Sequence, residues 1–489
     1  KKKKKKKEMG NGYSTDLTLI QDFFSACQMS EITEAVQGIP GNSSSPTDTW
    51  ILKLCDACYL NAEIKRAFIK IHINSSSVGP EMAENKAQLQ GLEYEIGMYR
   101  DIVRPLVDLD ICPHFVRYLA HSTNCSQESL VNILKKDSSL ARNASRNFER
   151  SIAYMANSIP NRPSVNSDED SYPQLKIPNS PGWKFNVLAT EAVREGSQTL
   201  ENYLDSHSGD FWNVVFQCLA ALHALGCSKV TLNDGHDQNW WVEPPSSGTA
   251  QDGLYVYDNF YFFVQNKSKV MCYDYDRAYT KRLGDNTLLN GALCGSFNQC
   301  NSFEPCKDLV KLMFYIYCRL KDPLKKSNLL ELLCKSQEAS AEFQNMCFRE
   351  SGPFLFKQDG EKMDSKYFSA NFFSPLQIMK HMYDTDLVIK FDPALSYGYS
   401  IYVCSSTHFD QETGKIFREQ LYLQKQSIAE QFFKKHLRIS ELNTEITRLR
   451  SDVYTCAEQL YKNGHNVVKL TKELETLRGQ ISEGMQMQQ

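Results

Sequence analysis

The stretch VTLNDGHDQNWWV, residues 230–242, holds a polar run between two apolar segments that each read as a strand. Apolar flanks commit both ends of such a loop to a core, so its polar groups must find partners in the protein or in a ligand. An acid, an imidazole and an amide stand at offsets 0, +2 and +5, as Asp234, His236 and Asn239. A plain turn also uses Asn, Asp and Gly, for backbone reasons. The rest of the chain has to decide between a turn and an active site.

At 489 residues the chain exceeds one small domain and has ample length for a sizeable core. Hydrophobic content of 42% and aromatic content of 11% point to a globular protein with some solvated segments. Seven of the 55 basic residues form the opening KKKKKKK, and the remainder is acidic against its 58 Asp and Glu. No general nucleic-acid-binding field is expected. There is no secretory h-region, and no apolar run reaches the roughly 18 residues of a membrane span. The sixteen cysteines are therefore expected as reduced thiols. Cys55 and Cys58 form a lone C-x-x-C pair without the second pair of a zinc site, and Cys294, Cys300 and Cys306 read as loop thiols. Met9-Gly10-Asn11-Gly12-Tyr13-Ser14 fits the myristoylation pattern. Membrane contact is expected only if Gly10 is acylated, and one chain anchors marginally.

Residues 1–49 read as an N-terminal segment, disordered or anchoring. Strand character builds from Trp50 into RAFIKIHI (66–73), which carries Lys70. Residues 85–107 have helical period through Leu89, Leu92, Ile96, Tyr99 and Val103, and HFVRYLA (114–120) reads as a strand. A Ser-, Asn- and Pro-rich insertion over 121–180 interrupts the pattern before KFNVLATEA (184–192) restores it. TLENYLDS, DFWNVVFQCLAALHALG and DLVKLMFYIYCRL read as helices, and GLYVYDNFYFFV and KVMCYDYDRAY as strand-like runs. This gives a small lobe over 50–190, a larger, mostly helical lobe over 191–395 and a C-terminal region over 396–489.

In that last region apolar residues step by 3 and 4 from Ile439 through Leu442, Ile446, Leu449, Val453, Cys456 and Leu460. After Asn463 they continue through Val467, Leu470, Leu474 and Leu477 to Ile481. β-Branched residues at a and Leu at d predict a parallel coiled coil over about 420–481, with Asn463 fixing register. Gly464 weakens the helix by about 1 kcal/mol. Packing of the stripe on its own chain is the alternative.

Phosphoryl transfer needs a Lys on the phosphates, an acid to hold that Lys, an acid facing the acceptor hydroxyl, and oxygen ligands for metal. Lys70 sits in AFIKIHI, a V-A-I-K type of strand. Glu95 lies on the following helix as its partner, with Glu93 the alternate. Asp234 and Asn239 match the spacing of H-R-D-x-x-x-x-N, with His236 where protein kinases usually carry Lys. Asp274 in CYDYDRA follows a strand as the metal-binding acid of D-F-G does, a hard ligand for Mg²⁺.

Together, LEYEIGMYRDIV, LNDGHDQNWWV and CYDYDRAY resemble the helix-C, catalytic-loop and metal-loop segments of the serine/threonine protein kinase-like proteins of iridoviruses and related large double-stranded DNA viruses. The resemblance covers roughly residues 50–390. It implies an α+β, two-lobed protein-kinase-like fold, followed here by the long C-terminal coiled-coil helix. It implies ATP and Mg²⁺ as cofactors, Asp234 as catalytic base beside His236, and Asn239 and Asp274 on metal. Lys70 and Glu95 would serve the phosphates, with Glu191 in a hinge at Thr190-Glu191-Ala192. Asp308 resembles the acid that ties the catalytic loop down from below. Protein substrates and virion or self-association partners follow, with a virion and host-cytoplasm location.

Three departures leave alternatives open. No G-x-G-x-x-G precedes Lys70, and Gly38 and Gly41 lie too far upstream for the usual hairpin. Leu232 replaces the His of H-R-D, and Asp276 replaces the Gly of D-F-G. A catalytically dulled structural virion protein and a small-molecule phosphotransferase are the rival expectations.

Overall fold

The computed structural model describes residues 93–126, 184–191, 193, 196–206, 209–244, 251–290, 293–294, 299–348, 369–393, 399–463 and 467–486. The strands at 36–40, 48–54 and 66–73 are described through their backbone. The protein is mixed α+β and divides into two compact units, Lys1–Lys390 with Tyr399–Ile416, and Phe391–Gly398 with Phe417–Gln489. The expectations about Gly10, Cys55, Cys58, Gly41 and most of the 121–180 insertion fall outside the described residues.

In the first unit, β1 (Val36–Pro40), β2 (Asp48–Leu54), β3 (Arg66–Ile73), β4 (Tyr118–Ser126) and β5 (Lys184–Glu191) form one antiparallel sheet in the order β1-β2-β3-β5-β4. Here the structure corrects the sequence reading. Gly38 lies in β1, which pairs with β2 across the 41–47 connection, and the chain length that had argued against a hairpin is taken up between β2 and β3. HFVRYLA also differs: the strand proper starts at Tyr118, while Phe115 bridges Cys272.

Helix α1 runs over 93–108 and includes a π-helical turn at Met98–Val103 before Arg104–Asp108. Ile96, Tyr99 and Val103, the described part of the apolar period read from the sequence, are buried together with Met98, Ile102 and Leu106, and Leu89 and Leu92 fall outside the described residues. After it, His114 lies fully inside. Its Nδ1–H donates to the Val270 carbonyl (3.1 Å) while Nε2 accepts from the Tyr255 hydroxyl (2.9 Å), and burial lowers its pKa to about 3. A neutral imidazole thus fixes this segment beside the strand at 269–272.

The remaining elements of the unit are β6 (Gln198–Thr199), α2 (Leu200–Asp205), α3 (Phe211–Cys227), β7 (Val230–Thr231), β8 (Trp240–Glu243), β9 (Gln251–Tyr257), β10 (Phe260–Asn266), β11 (Lys269–Cys272) and β12 (Tyr279–Thr280). Then follow α4 (Lys307–Arg319), α5 (Pro323–Leu333), α6 (Gln337–Phe348), α7 (Pro375–Asp384) and β13 (Ser400–Cys404). The pillar is α3, apolar on nearly every side. Its two internal amides are matched to backbone: Gln217 donates to Ser268 O and accepts from Val270 N, and Asn213 does the same with Gln265 O and Ile389 N. Each closes a donor and an acceptor that burial would otherwise strand. Strand β13 pairs in parallel with β9, bringing chain from beyond residue 396 into this unit.

In the second unit, α8 (Arg418–Asn463) and α9 (Val467–Gln486) carry the heptads. Ile446, Leu449, Val453, Leu470, Leu474, Leu477 and Ile481 are half-buried, and their described neighbours are mostly exposed, whereas Cys456 is exposed. Among the described residues no helix is long and apolar enough to cross a membrane.

Candidate active site

Two loops face each other because their strands are cross-paired. The polar loop 232–239 runs from β7 to β8, and the loop 273–278 runs from β11 to β12. β7 pairs with β12 (Thr231 opposite Tyr279), and β8 pairs with β11 (Trp240 opposite Cys272). The strand before each loop is therefore bonded to the strand after the other, and the loops have no freedom to part. Direct bonds close the gap: Tyr273 N donates to Asn239 O (3.2 Å), and the Asn233 amide donates to Arg277 O (3.0 Å).

Beneath the first loop lies α4. Asp308, in its first turn and 5% exposed, accepts the backbone N–H of Leu232 (2.6 Å) and of Asn233 (3.0 Å). Hydrogen bonds to a charged group contribute about 1.5–3 kcal/mol each. They matter here because Asn233 is held at φ 59, left-handed, where a non-glycine residue is strained. Burial pushes Asp308 up to about 6, against those amides and the charges of Lys307 and Lys311. Lys307 reaches Asn233 Oδ1 (2.8 Å), and Lys311 reaches Asn233 O (2.8 Å). The acid expected to tie the loop from below does so.

Asp234 is then fixed by its surroundings. Its Oδ1 receives Lys311 Nζ and Gln299 Nε2 (3.3 Å each), and its Oδ2 receives Arg277 (2.9 Å). Burial works against its ionisation, but Lys311 and Arg277 outweigh that and hold the carboxyl below its ordinary value. His236 caps the short 3-10 turn Asp237–Asn239 by accepting Gln238 N at Nδ1 (3.2 Å). The proton of the neutral ring therefore sits on Nε2, 3.8 Å from Asp234 Oδ2. Burial lowers His236, with Lys311 acting in the same direction against the pull of Asp234. His236 is thus a neutral group and cannot replace the charge of the Lys it was compared with; Lys311 supplies a cation here instead. Asn239 Nδ2 donates to Asp234 O (2.9 Å), which fixes the amide's orientation and leaves Oδ1 as its acceptor end. Asp237, raised by burial although Arg319 pulls the other way, pairs with Arg319, which also pairs with Glu201 of α2. That pair braces the turn.

The second loop is tied to α1. Asp274, at φ 66, donates its N–H to the Tyr99 hydroxyl (3.4 Å), and Tyr275 N donates to Glu95 Oε1 (3.4 Å). Tyr275 is fully buried edge-on to Tyr99, centroids 4.8 Å apart. Glu95 is 1% exposed and so directed at this loop, while Glu93 accepts from Asn186 of β5 (3.3 Å). Lys70 lies in β3, the middle strand of its sheet, opposite Leu188; its side chain is outside the described residues. Glu191 ends β5, half-buried, its N–H donating to Arg117 O (2.8 Å).

Asp234, His236, Asn239 and Asp308 are thus brought together on one side, and Asp274 and Glu95 on the facing loop and helix. Sequence reasoning missed Lys311, Arg277 and Gln299. Lys311 had a signal, standing three residues after Asp308 on the same helical face. Arg277 and Gln299 had none, since both arrive by tertiary folding. Cys294 and Cys300 form a disulfide, contrary to the expected free thiols, on the segment that delivers Gln299; Cys306 remains a thiol. No protein-family profile matches the chain, and no curated protein matches it.

Proposed function

We propose that the protein is an ATP-dependent kinase of two-lobed, protein-kinase-like build that transfers the γ-phosphoryl group to a Ser or Thr hydroxyl of a protein. The observation that carries this reading is the crossed strand pairing that holds the 232–239 and 273–278 loops face to face above Asp308. Asp234 receives the acceptor hydroxyl. Asn239 Oδ1 and the Asp274 carboxylate are hard oxygen donors and would hold Mg²⁺, which neutralises charge on the phosphates. Lys70 on the central strand, next to the β1–β2 hairpin in the sheet, would meet the phosphates, and Glu95 belongs to the helix that steadies the metal loop. Glu191 stands where an adenine-binding hinge would run.

The test is transfer from labelled ATP with Mg²⁺ to a generic protein substrate, lost in Asp274→Ala; equal transfer by that variant would reject the assignment. A second reading, a catalytically silent body serving assembly, is favoured by the Arg277 ion pair on Asp234 Oδ2. It would give nucleotide binding without transfer. In either reading the heptads of α8 and α9 serve a parallel coiled coil with a second copy. Light scattering should register a fall in mass when 420–489 is removed; an unchanged mass would mean packing within the chain.

A further inference from the structure

Away from the loops, three soft donors converge at the far end of α3. His223 and Cys227 are four residues apart in its last turns, hence on one face. Cys404 ends β13, which its parallel pairing with β9 sets opposite Tyr257. Cys227 Sγ lies 3.7 Å from His223 Nε2, and the three donor atoms all fall within 4.8 Å of one another. Tetrahedral zinc, with bonds of about 2.3 Å to sulfur and 2.0 Å to nitrogen, needs its donors about 3.6–3.8 Å apart. The cluster needs only a small contraction to meet that.

We infer that His223, Cys227 and Cys404 form a binding site for a thiophilic divalent cation, zinc by preference. The surroundings are those of a built site. The His223 ring stacks on Tyr257, centroids 5.3 Å apart, which orients it. Asp258 fixes the chain at and just after Cys404: its N–H donates to Cys404 O (2.9 Å), and its carboxylate accepts Ser405 Oγ and Ser406 N (2.9 Å each). Gly414, at φ 67, approaches Ser228 so closely that a Cβ there would lie 2.1 Å from the Ser228 carbonyl oxygen, so the chain after β13 is pressed onto the end of α3. Charge favours the cation as well. Two thiolates and a neutral imidazole around Zn²⁺ sum to zero, which a half-buried site tolerates better than a lone thiolate. Three protein donors leave the fourth position to water. The ion would lock α3 to β13 three residues ahead of β7.

The test uses the full chain, reduced, stripped with a chelator and titrated anaerobically with Co²⁺. The expected result is thiolate-to-cobalt charge transfer with tetrahedral visible bands, saturating at one ion per chain and displaced by Zn²⁺. Cys404→Ser should remove about half of the charge-transfer intensity, as one of two thiolates goes. Cys218→Ser, buried in the same helix outside the cluster, should leave it intact. Absence of charge transfer in the wild-type protein would overturn the site, as would charge-transfer bands left at full intensity in Cys404→Ser. A Cys227–Cys404 disulfide found by peptide mass spectrometry in freshly isolated protein would do the same. If Cys404→Ser does not fold, sulfur counting by X-ray absorption on the wild-type cobalt protein decides, and fewer than two sulfurs contradicts the site. None of these readouts involves phosphotransfer, so the result stands apart from the proposed activity.

Discussion

The two sides of the 232–239 loop are built differently. Its floor is buried and closed: Asp308 takes two backbone amides, Lys307 and Lys311 take the oxygens of Asn233, and little of it meets water. Its rim is half-open: Arg277 is 38% exposed in its side chain, Gln238 is exposed, and His236 is neutral and partly accessible. The floor fixes geometry, since removing any member strands a charge or an amide in the interior. In the proposed kinase reading the rim is the side that would meet substrate, since its groups can move at small cost. Asp234 belongs to both, with Oδ1 on the floor and Oδ2 on the rim.

The largest effect should come from the floor. Asp308→Ala leaves two amides and two lysines uncompensated and should cost about 3–5 kcal/mol of stability, read by denaturant unfolding, with activity lost as well. A cost below 1 kcal/mol would merge floor and rim. The same residue predicts a pH signature. Its folded value of about 6 lies above the ordinary 3.8, so folding takes up a proton between the two. The part of the stability linked to that proton is full below the lower value and lost as pH rises through the upper one, and Asp308→Asn should remove that slope.

Next comes Asp234→Asn, expected to lower turnover by about 10²–10⁴-fold, the usual share of a general base, while the unfolding midpoint moves far less than in Asp308→Ala. The two cations on Asp234 should then separate. Lys311→Met, in the floor, should reduce both stability and turnover. Arg277→Ala frees Oδ2 for the acceptor hydroxyl; an exposed ion pair of about 0.2–1 kcal/mol corresponds to a rise in kcat/KM of at most about fivefold. A fall in Arg277→Ala would make that residue part of the machinery. Gln238→Ala, losing only its bond to Glu201 (2.8 Å), should change stability by less than about 0.5 kcal/mol.

What the sequence made legible follows the same division. Asp234, Asn239 and Asp274 could be read because local chain geometry sets their offsets from the neighbouring strands, and Asp308 because it opens an evident buried helix. The helices at 200–205, 211–227 and 307–319 were legible from period alone. The groups that reach Asp234 from elsewhere were not: Arg277 and Gln299 lie 43 and 65 residues along the chain, where no local pattern reports such a meeting, and Lys311, 77 residues along, had only its place on the helical face of Asp308 as a signal. The β1–β2 hairpin was missed because connection length was weighed as if β2 and β3 were joined tightly. His236 could be read as a member of the loop, but its neutrality, which burial and Lys311 favour together, could not.

The central claim is that two cross-paired loops hold Mg²⁺ and a nucleoside triphosphate between them. Thermal unfolding of the full chain with ATP, with and without Mg²⁺, tests it without knowing the acceptor protein. A rise in Tm that requires both ligands and disappears in Asp274→Ala is the expected result. No shift in the wild-type protein, or the same shift in Asp274→Ala, would contradict it.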